Sequence, residues 1–312
     1  MEEYHYLLDL ALILFTTKLF GLISQKFKMP QVVGALLAGL ILGPAVLNIV
    51  QKSNFITTTS EIGVIILMFC AGLETDVKEL KKCGKASFVI ALLGVIVPLL
   101  GGFGVAYFFN QPGIIDSGAT CNVFLQNVFI GVILTATSVS ITVETLKELG
   151  RLKSESGNAI LGAAIIDDIL GIIALTVITS LADSSVNVWI VLLKILGFFA
   201  MVIVAGFAFY KLYVWWANRS KHLRHRHAII CFVFCLGMSY AAEALFGVAD
   251  ITGAFFAGLI ISLTQSSEYL AKKFDVLSYL LLSPIFFASI GLNVVLPSMS
   301  VQIIVFAVVI TI

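Results

Sequence analysis

Long apolar runs, each bounded by charged or turn-forming residues, follow one another along nearly the whole chain. A helix that crosses a bilayer needs about 20 consecutive apolar residues. Ten runs approach that length, and an eleventh begins near Val301. The ten runs cover residues 5–25, 31–49, 60–75, 86–109, 124–142, 157–181, 186–217, 227–246, 249–265 and 275–293. Turn-forming residues separate several of them, at 29–30, 111–113, 183–185 and 296–297. The pattern predicts an all-α polytopic membrane protein.

Composition agrees with this class. Of the 312 residues, 60% are hydrophobic and only 12% are charged, which places the chain among membrane proteins. The formal net charge of +1 gives no reason to expect a nucleic-acid partner. The hydrophobic composition makes the lipid bilayer the expected partner. The first residues, Met1-Glu2-Glu3, lack the basic region of a signal peptide, so we interpret the first apolar run as a retained helix. No His or Cys spacing resembles a zinc site.

Basic residues alternate between the loops. Sixteen lie in or beside the odd-numbered loops, whereas the even-numbered loops carry only Lys52. The sixteen are Lys26, Lys28, Lys78, Lys81, Lys82, Lys85, Lys147, Arg151, Lys153, Lys211, Arg219, Lys221, Arg224, Arg226, Lys272 and Lys273. Because cytoplasmic loops are enriched in Lys and Arg, this asymmetry places the odd loops in the cytoplasm and the N-terminus outside. Lys18 and Lys194 lie within helices and are expected to reach toward an interface.

The sequence contains an internal repeat with an offset of 219 residues. The segment GALLAGLI at 34–41 matches GAFFAGLI at 253–260, and FCAGL at 69–73 aligns in the same register with ASIGL at 288–292. The matched helices are seven helices apart. Since seven is odd, the second copy must cross the membrane in the opposite direction. Inverted repeats of this kind are typical of secondary transporters.

Two adjacent carboxylates, Asp167 and Asp168, lie in the middle of the apolar run 157–181. Asp168 is about 16 Å along the helix from Gly157, roughly half the hydrocarbon thickness. Charged residues at that depth are costly and usually mark an ion or proton path. Small residues at 162–164 would permit close approach by a neighbouring helix. The alternative is a structural carboxylate that is hydrogen-bonded within the bundle.

The preceding apolar run loses its apolar character at residues 137–142. Hydroxyls of Thr137, Ser138, Ser140 and Thr142 surround β-branched residues, Val139 among them, and can bond backbone groups in a locally unwound segment. Such a break at mid-depth would offer free carbonyls and helix ends to a cation. An ordinary helix, whose hydroxyls bond the previous turn, is the equally open alternative.

These motifs together resemble those of a sodium/proton antiporter in the second branch of the monovalent cation:proton antiporter superfamily. That branch also includes potassium-efflux and spore-germination antiporters. The matching segments run in family order along nearly the whole chain: PQVVG at 30–34, AG at 38–39, GP at 43–44, GLETD at 72–76, ATSVSIT at 136–142, ELG at 148–150, IDD at 166–168 and GAFFAG at 253–258.

The resemblance implies an inverted-repeat antiporter fold with crossed broken helices. About 11 of about 13 helices would be present, with the second repeat truncated, and the 312 residues are expected not to transport alone. It also implies a homodimer with residues 1–77 and 226–298 as scaffold, 78–182 as ion-binding core, 183–225 as linker and 299–312 as the start of the second core half. Asp168 would bind the cation and the proton with Asp167 as its partner. Thr137 and Ser138 would lie at the helix crossover. No cofactor is expected.

The predicted function is exchange of Na⁺ for H⁺ by alternating access across a bacterial cell membrane, with both ions competing for the Asp pair. K⁺ is the alternative cation. An intramembrane aspartyl protease is a second class, but its two aspartates would come from different helices. A channel or a non-transporting sensor is a third, although no carbonyl-rich loop or charged ring typical of a filter occurs.

Overall fold

The computed structural model describes residues 4–111, 122–182, 187–219, 224–296 and 301–311, and these residues are helical apart from short connections. The helices are α1 (His5–Lys26), α2 (Gln31–Leu42), α3 (Asn54–Glu74), α4 (Val77–Phe109), α5 (Val123–Ile133), α6 (Val139–Glu148), α7 (Glu155–Ala182), α8 (Val188–Arg219), α9 (Arg224–Phe246), α10 (Asp250–Ser262), α11 (Ser267–Leu277), α12 (Ser283–Leu292) and α13 (Val301–Thr311). The predicted turns at 112–113, 183–185 and 297, and the predicted loop residue Lys221, lie outside the described residues.

Within the described residues, seven helical spans are long and apolar enough to cross a membrane, which supports the predicted membrane class. Several helices begin earlier than the apolar runs indicated, among them α3, α4 and α11. Helix α3 begins at Asn54 because the Ser53 hydroxyl accepts a hydrogen bond from the Ile56 N–H at 3.2 Å and caps the helix. Helix α4 begins at Val77, since its polar, lysine-rich first turns continue the helix before the apolar part starts.

The predicted tenth crossing is one span of three pieces. A π-helical turn, Ser278–Leu282, joins α11 to α12, and Pro284 stands in the first turn of α12. The hydroxyls of Ser278 and Ser283 lie 2.9 Å apart and are hydrogen-bonded across this turn. Proline lacks the N–H that would continue the helical ladder, so the irregularity falls just before Pro284.

The helices pack in two compact units. Unit 1 comprises residues 1–78, 140–157 and 200–296, and unit 2 comprises residues 79–139, 158–199 and 297–312. The predicted scaffold segments fall largely in unit 1. The predicted core is divided, because the segment 140–157 packs in unit 1. The scaffold and core roles themselves stay predictions.

In unit 1, α2 crosses α12 at two glycines. A Cβ atom on Gly39 would overlap the backbone of Ala288, and a Cβ atom on Gly291 would overlap the backbone around Leu36. The two helices therefore touch backbone to backbone. Small residues at a crossing allow such approach, and van der Waals contact is a main source of helix association in a membrane.

A second crossing, between α3 and α10, repeats the first. Gly72 lies against the carbonyl oxygen of Phe255, and Gly258 lies against that of Phe69. Under the 219-residue offset Gly39 corresponds to Gly258, and Gly72 corresponds to Gly291. The two crossings are therefore related by a pseudo-two-fold operation, which is what an inverted repeat requires.

The same offset relates whole helices of unit 1: α1 to α9, α2 to α10, and α3 to the α11–α12 span. Gly63 of α3 lies close to the backbone of Leu282, and these two residues are themselves 219 positions apart. A residue that contacts its own repeat partner lies at the pseudo-two-fold axis. The axis therefore passes between α3 and the π-helical turn.

In unit 2, α4 provides the surface on which α5 and α7 pack. The amide of Asn110, just after α4, donates to Gln126 and Asn127 on α5 at 3.1 and 2.8 Å. The Ser87 hydroxyl donates to the carbonyl of Ala159 on α7 at 3.0 Å. These contacts fix α5 and α7 in one unit. Helix α7 carries Asp167 and Asp168, and α5 leads into the segment that contains Thr137 and Ser138.

The first prediction concerns the α2–α12 crossing. Gly39→Ala should lower the free energy of unfolding by about 1–3 kcal/mol, since the added methyl group has no space against the α12 backbone. Thermal unfolding of the detergent-solubilised protein measures this. The matched control is Gly237→Ala on α9, where a Cβ atom meets nothing within 4 Å. Equal stability of the two variants would contradict the close crossing.

Candidate functional site

The fifth predicted crossing is broken. Helix α5 ends at Ile133, residues 136–138 are not helical, and α6 begins at Val139. Side-chain hydroxyls take over backbone acceptors at the break: Thr135 donates to the carbonyl of Val132 at 2.8 Å, and Thr137 donates to the carbonyl of Thr135 at 3.4 Å. A local unwinding supported by Thr hydroxyls is therefore present.

The break lies earlier than the sequence predicted. Thr137 and Ser138 are non-helical, as expected, but Val139, Ser140 and Thr142 belong to α6. The hydroxyls that bond backbone carbonyls at the break lie at Thr135 and Thr137, so the helical ladder can restart directly after Ser138.

The two carboxylates lie in the middle of α7, with thirteen residues between Asp168 and the last residue of the 28-residue helix. Asp167 is 7% exposed, whereas Asp168 is half-buried. The hydroxyl and the backbone N–H of Thr137 lie within hydrogen-bonding reach of the Asp167 carboxylate. Both residues belong to unit 2, so the structure brings the break and the acidic pair together there.

One oxygen of this carboxylate, Oδ1 of Asp167, is buried and accepts no hydrogen bond from any described residue. A buried carboxylate oxygen without a donor is costly, so it calls for a proton or a cation. The oxygens of Asp167, Asp168 and the nearby break are hard ligands of the type that alkali cations prefer. Within the described parts of the chain, no group of three or more His, Cys, Asp or Glu side chains could hold a resident metal ion.

The sequence analysis missed a second charged cluster, in unit 1. Lys147, near the end of α6, is hydrogen-bonded to Asp275 on α11, and its Nζ lies 3.9 Å from the Glu74 carboxylate at the end of α3. From its neighbourhood to Lys78, Glu74 would be expected to be a solvated cap; it is instead half-buried and paired with Lys147. A pairing across 128 residues leaves no local signal in the sequence.

Comparison with known proteins decides the family. Residues 11–312 match the family profile described as "Sodium/hydrogen exchanger, transmembrane". The chain belongs to this family. It is one of transporters rather than of enzymes, as the sequence motifs predicted, and its fold class and superfamily are therefore confirmed.

Individual relatives agree with this assignment. The chain is 40% identical over 289 residues to the probable Na⁺/H⁺ antiporter GerT of Bacillus cereus, covering 92% of this chain and 73% of the relative. It is 39% identical over 306 residues to the Na⁺/H⁺-K⁺ antiporter GerN of the same organism, covering 96% and 75%. The sodium proton antiporter MjNhaP1 of Methanocaldococcus jannaschii, in its structure at pH 8, superposes with a TM-score of 0.64 at 22% identity, covering 94% and 71%. That structure shows the shared fold.

The second prediction tests the bond between the break and the acidic pair. Thr137→Val keeps the side-chain shape but removes the hydroxyl bonded to Asp167. Since a hydrogen bond to a charged group contributes about 1.5–3 kcal/mol, the apparent KM for the transported cation should change about tenfold or more. Cation-driven proton movement in everted vesicles provides the measurement.

The matched control is Thr176→Val, on the same helix as the acidic pair. The Thr176 hydroxyl bonds only to the carbonyl of Ile172 within α7, at 2.6 Å, so its loss should leave KM near the wild-type value. If Thr137→Val behaved like this control, the bond to Asp167 would have no part in cation binding.

Proposed function

We propose that this protein is a secondary active transporter that exchanges Na⁺ for H⁺ across a bacterial cell membrane. Family membership and the names of the relatives support cation/proton exchange. K⁺ is the second candidate cation, since the printed name of GerN includes both Na⁺ and K⁺. No cofactor is required for such exchange, because the gradient of one ion drives the other.

The observation that carries the proposal is the state of Asp167. Its side chain is buried beside Thr137 at the helix break, and its Oδ1 has no donor among the described residues. Asp168 adds a second carboxylate directly beside it. Two adjacent carboxylates with a free buried oxygen form an incomplete site, which either a proton or a cation can complete.

Exchange follows from one rule applied to this pair. When the pair is protonated it is neutral enough to be enclosed without metal. When it is deprotonated, it needs a cation before the site can close, because an uncompensated buried charge is strongly unfavourable. A protein that opens alternately to the two sides of the membrane then moves the protonated pair or the cation-bound pair from one side to the other. It does not move the pair while it is charged and empty. The two carboxylates titrate as a coupled unit rather than independently.

The rest of the architecture is proposed on the same basis. The charge asymmetry of the loops supports a multi-pass protein with its N-terminus outside. The inverted repeat of unit 1 supports a scaffold that forms a homodimer, whereas α4, α5 and α7 would belong to a moving core. Ser138, beside Thr137 at the break, would contribute to ion binding, and Val139, Ser140 and Thr142 would belong to the broken helix that follows it.

The third prediction concerns pH. If Na⁺ and protons compete for the same carboxylates, the apparent KM for Na⁺ rises as the pH falls, since protons occupy more of the sites, while the maximal rate changes little. Dye-based assays of the full-length protein in everted vesicles, from mildly acidic to alkaline pH, measure both quantities. A KM that does not vary with pH would exclude a shared site.

The fourth prediction separates the two carboxylates. Asp168→Asn should abolish exchange, because the pair can then no longer alternate between a protonated and a cation-bound form at that position. Asp167→Asn should retain a slower or differently coupled activity. Asp250→Asn is the control: this residue lies at the start of α10, where its carboxylate accepts the N–H of Ile251 at 2.7 Å, and exchange should be normal. Near-normal exchange in Asp168→Asn would remove this residue from the mechanism.

A further inference from the structure

The far end of α6 is held by three other helices of unit 1. Lys147 is bonded to Asp275 on α11 and lies 3.9 Å from Glu74 on α3. The adjacent residue, Glu148, accepts a hydrogen bond at 2.7 Å from the backbone N–H of Gln31, the first residue of α2. The end of α6 thus has charged or polar links to α2, α3 and α11.

Lys147 is the only cation that lines a cavity of about 160 Å³ at this end of α6, as far as the described residues show. Its side chain is 24% exposed, and the carboxylates on the cavity wall are Glu144, Glu148 and Asp275. Burial raises the pKa of Glu144, which favours its neutral form and lowers the negative charge near the ammonium group. Burial opposes the charge on Lys147, but the hydrogen bond to Asp275 and the neighbouring acids outweigh it and raise the pKa of Lys147.

This cluster differs from an ordinary surface ion pair. Lys272 and Glu268 on α11 also form a bridge, at 2.8 Å, but their side chains are 77% and 81% exposed and belong to one helix. Such exposed pairs contribute little to stability. The Lys147 cluster is only partly exposed, at 24% for Lys147, 41% for Asp275 and 19% for Glu74, and it joins helices that are distant in sequence. Removing the lysine therefore leaves partly buried carboxylates without their cation.

Helix α6 connects this cluster, along the chain, to the helix break that precedes Val139. The helix has ten residues, from Val139 to Glu148, and at 1.5 Å per residue Lys147 lies about 12 Å from its first residue. A short helix moves as a rigid rod. A restraint at its last turn therefore also limits the movement of the break residues directly before its first turn.

We propose that Lys147 is a positioning residue for cation exchange: its links to Asp275 and Glu74 hold α6, and through it the helix break, in the geometry that binds the cation. This inference rests on the proposed exchange function. Lys147 does not touch the transported ion. It acts through α6.

The fifth prediction compares Lys147→Gln with the control Lys272→Gln, which removes an equivalent charge from the exposed pair. Lys147→Gln should raise the apparent KM for Na⁺ by about two- to thirtyfold with a smaller change in the maximal rate, because it displaces the site without removing a ligand. The control should keep the wild-type KM. Transport by the full-length protein in everted vesicles gives both constants.

A charge exchange provides the rescue. The double variant Lys147→Asp with Asp275→Lys restores the pair in reverse and should recover a KM closer to wild type than Lys147→Asp alone. This comparison remains decisive where the single variant is unstable. A KM in Lys147→Gln equal to that of the control, or no recovery in the double variant, would overturn the proposal.

Hydrogen–deuterium exchange separates this proposal from the function on which it rests. In Lys147→Gln the peptide that covers 137–148 should exchange faster than in the wild type or in Lys272→Gln. If wild-type vesicles showed no cation-dependent proton movement, the exchange function would be wrong, whereas the deuterium result would still show whether Lys147 holds α6. Unchanged deuterium uptake would overturn the positioning role independently of transport.

Discussion

The cost of a carboxylate oxygen without a partner inside a membrane helix is the constraint on which this structure depends. Asp167 is buried, and only part of its hydrogen-bonding capacity is met, by Thr137. A protein that served only stability would satisfy such a group or replace it with an apolar residue. At the break between α5 and α6 the backbone N–H of Thr137 is outside a helical ladder, and both it and the Thr137 hydroxyl lie within reach of the carboxylate.

The glycine crossings make unit 1 rigid. Where α2 meets α12 and α3 meets α10, the backbones touch, so these helices have little freedom to slide past one another. The two crossings are equivalent under the repeat, and Gly63 faces its own repeat partner, Leu282. Because the two crossings are related by the pseudo-two-fold axis, each repeat of unit 1 is held by the same kind of backbone contact. This suits unit 1 to act as a fixed frame.

The sequence predicts much of this architecture because the relevant signals are local or periodic. The GALLAGLI and GAFFAGLI segments revealed the repeat, since the glycines that permit the crossings are the residues that match. Asp167 and Asp168 were apparent as adjacent acids in an apolar run. The exact position of the break was not predicted, because Thr and Ser occur both in the break, at Thr135 and Thr137, and in the helix after it, at Ser140 and Thr142. The Lys147–Asp275 pair was also missed, since it joins residues that no local pattern connects.

The short length of α6 relates the two features that the sequence did not predict, the position of the break and the Lys147–Asp275 pair. An isolated helix of ten residues is marginal, because the cost of forming its first turn is recovered only over about 12–15 residues. The break deprives α6 of the ladder that would otherwise continue from α5, so its order must come from tertiary contacts. Its apolar face supplies part of them, with Val143 fully buried, and the charged links of Lys147 and Glu148 supply the rest at the opposite end from the break. A short helix that begins at a break therefore needs an anchor elsewhere, and this chain places that anchor at the end farthest from the break.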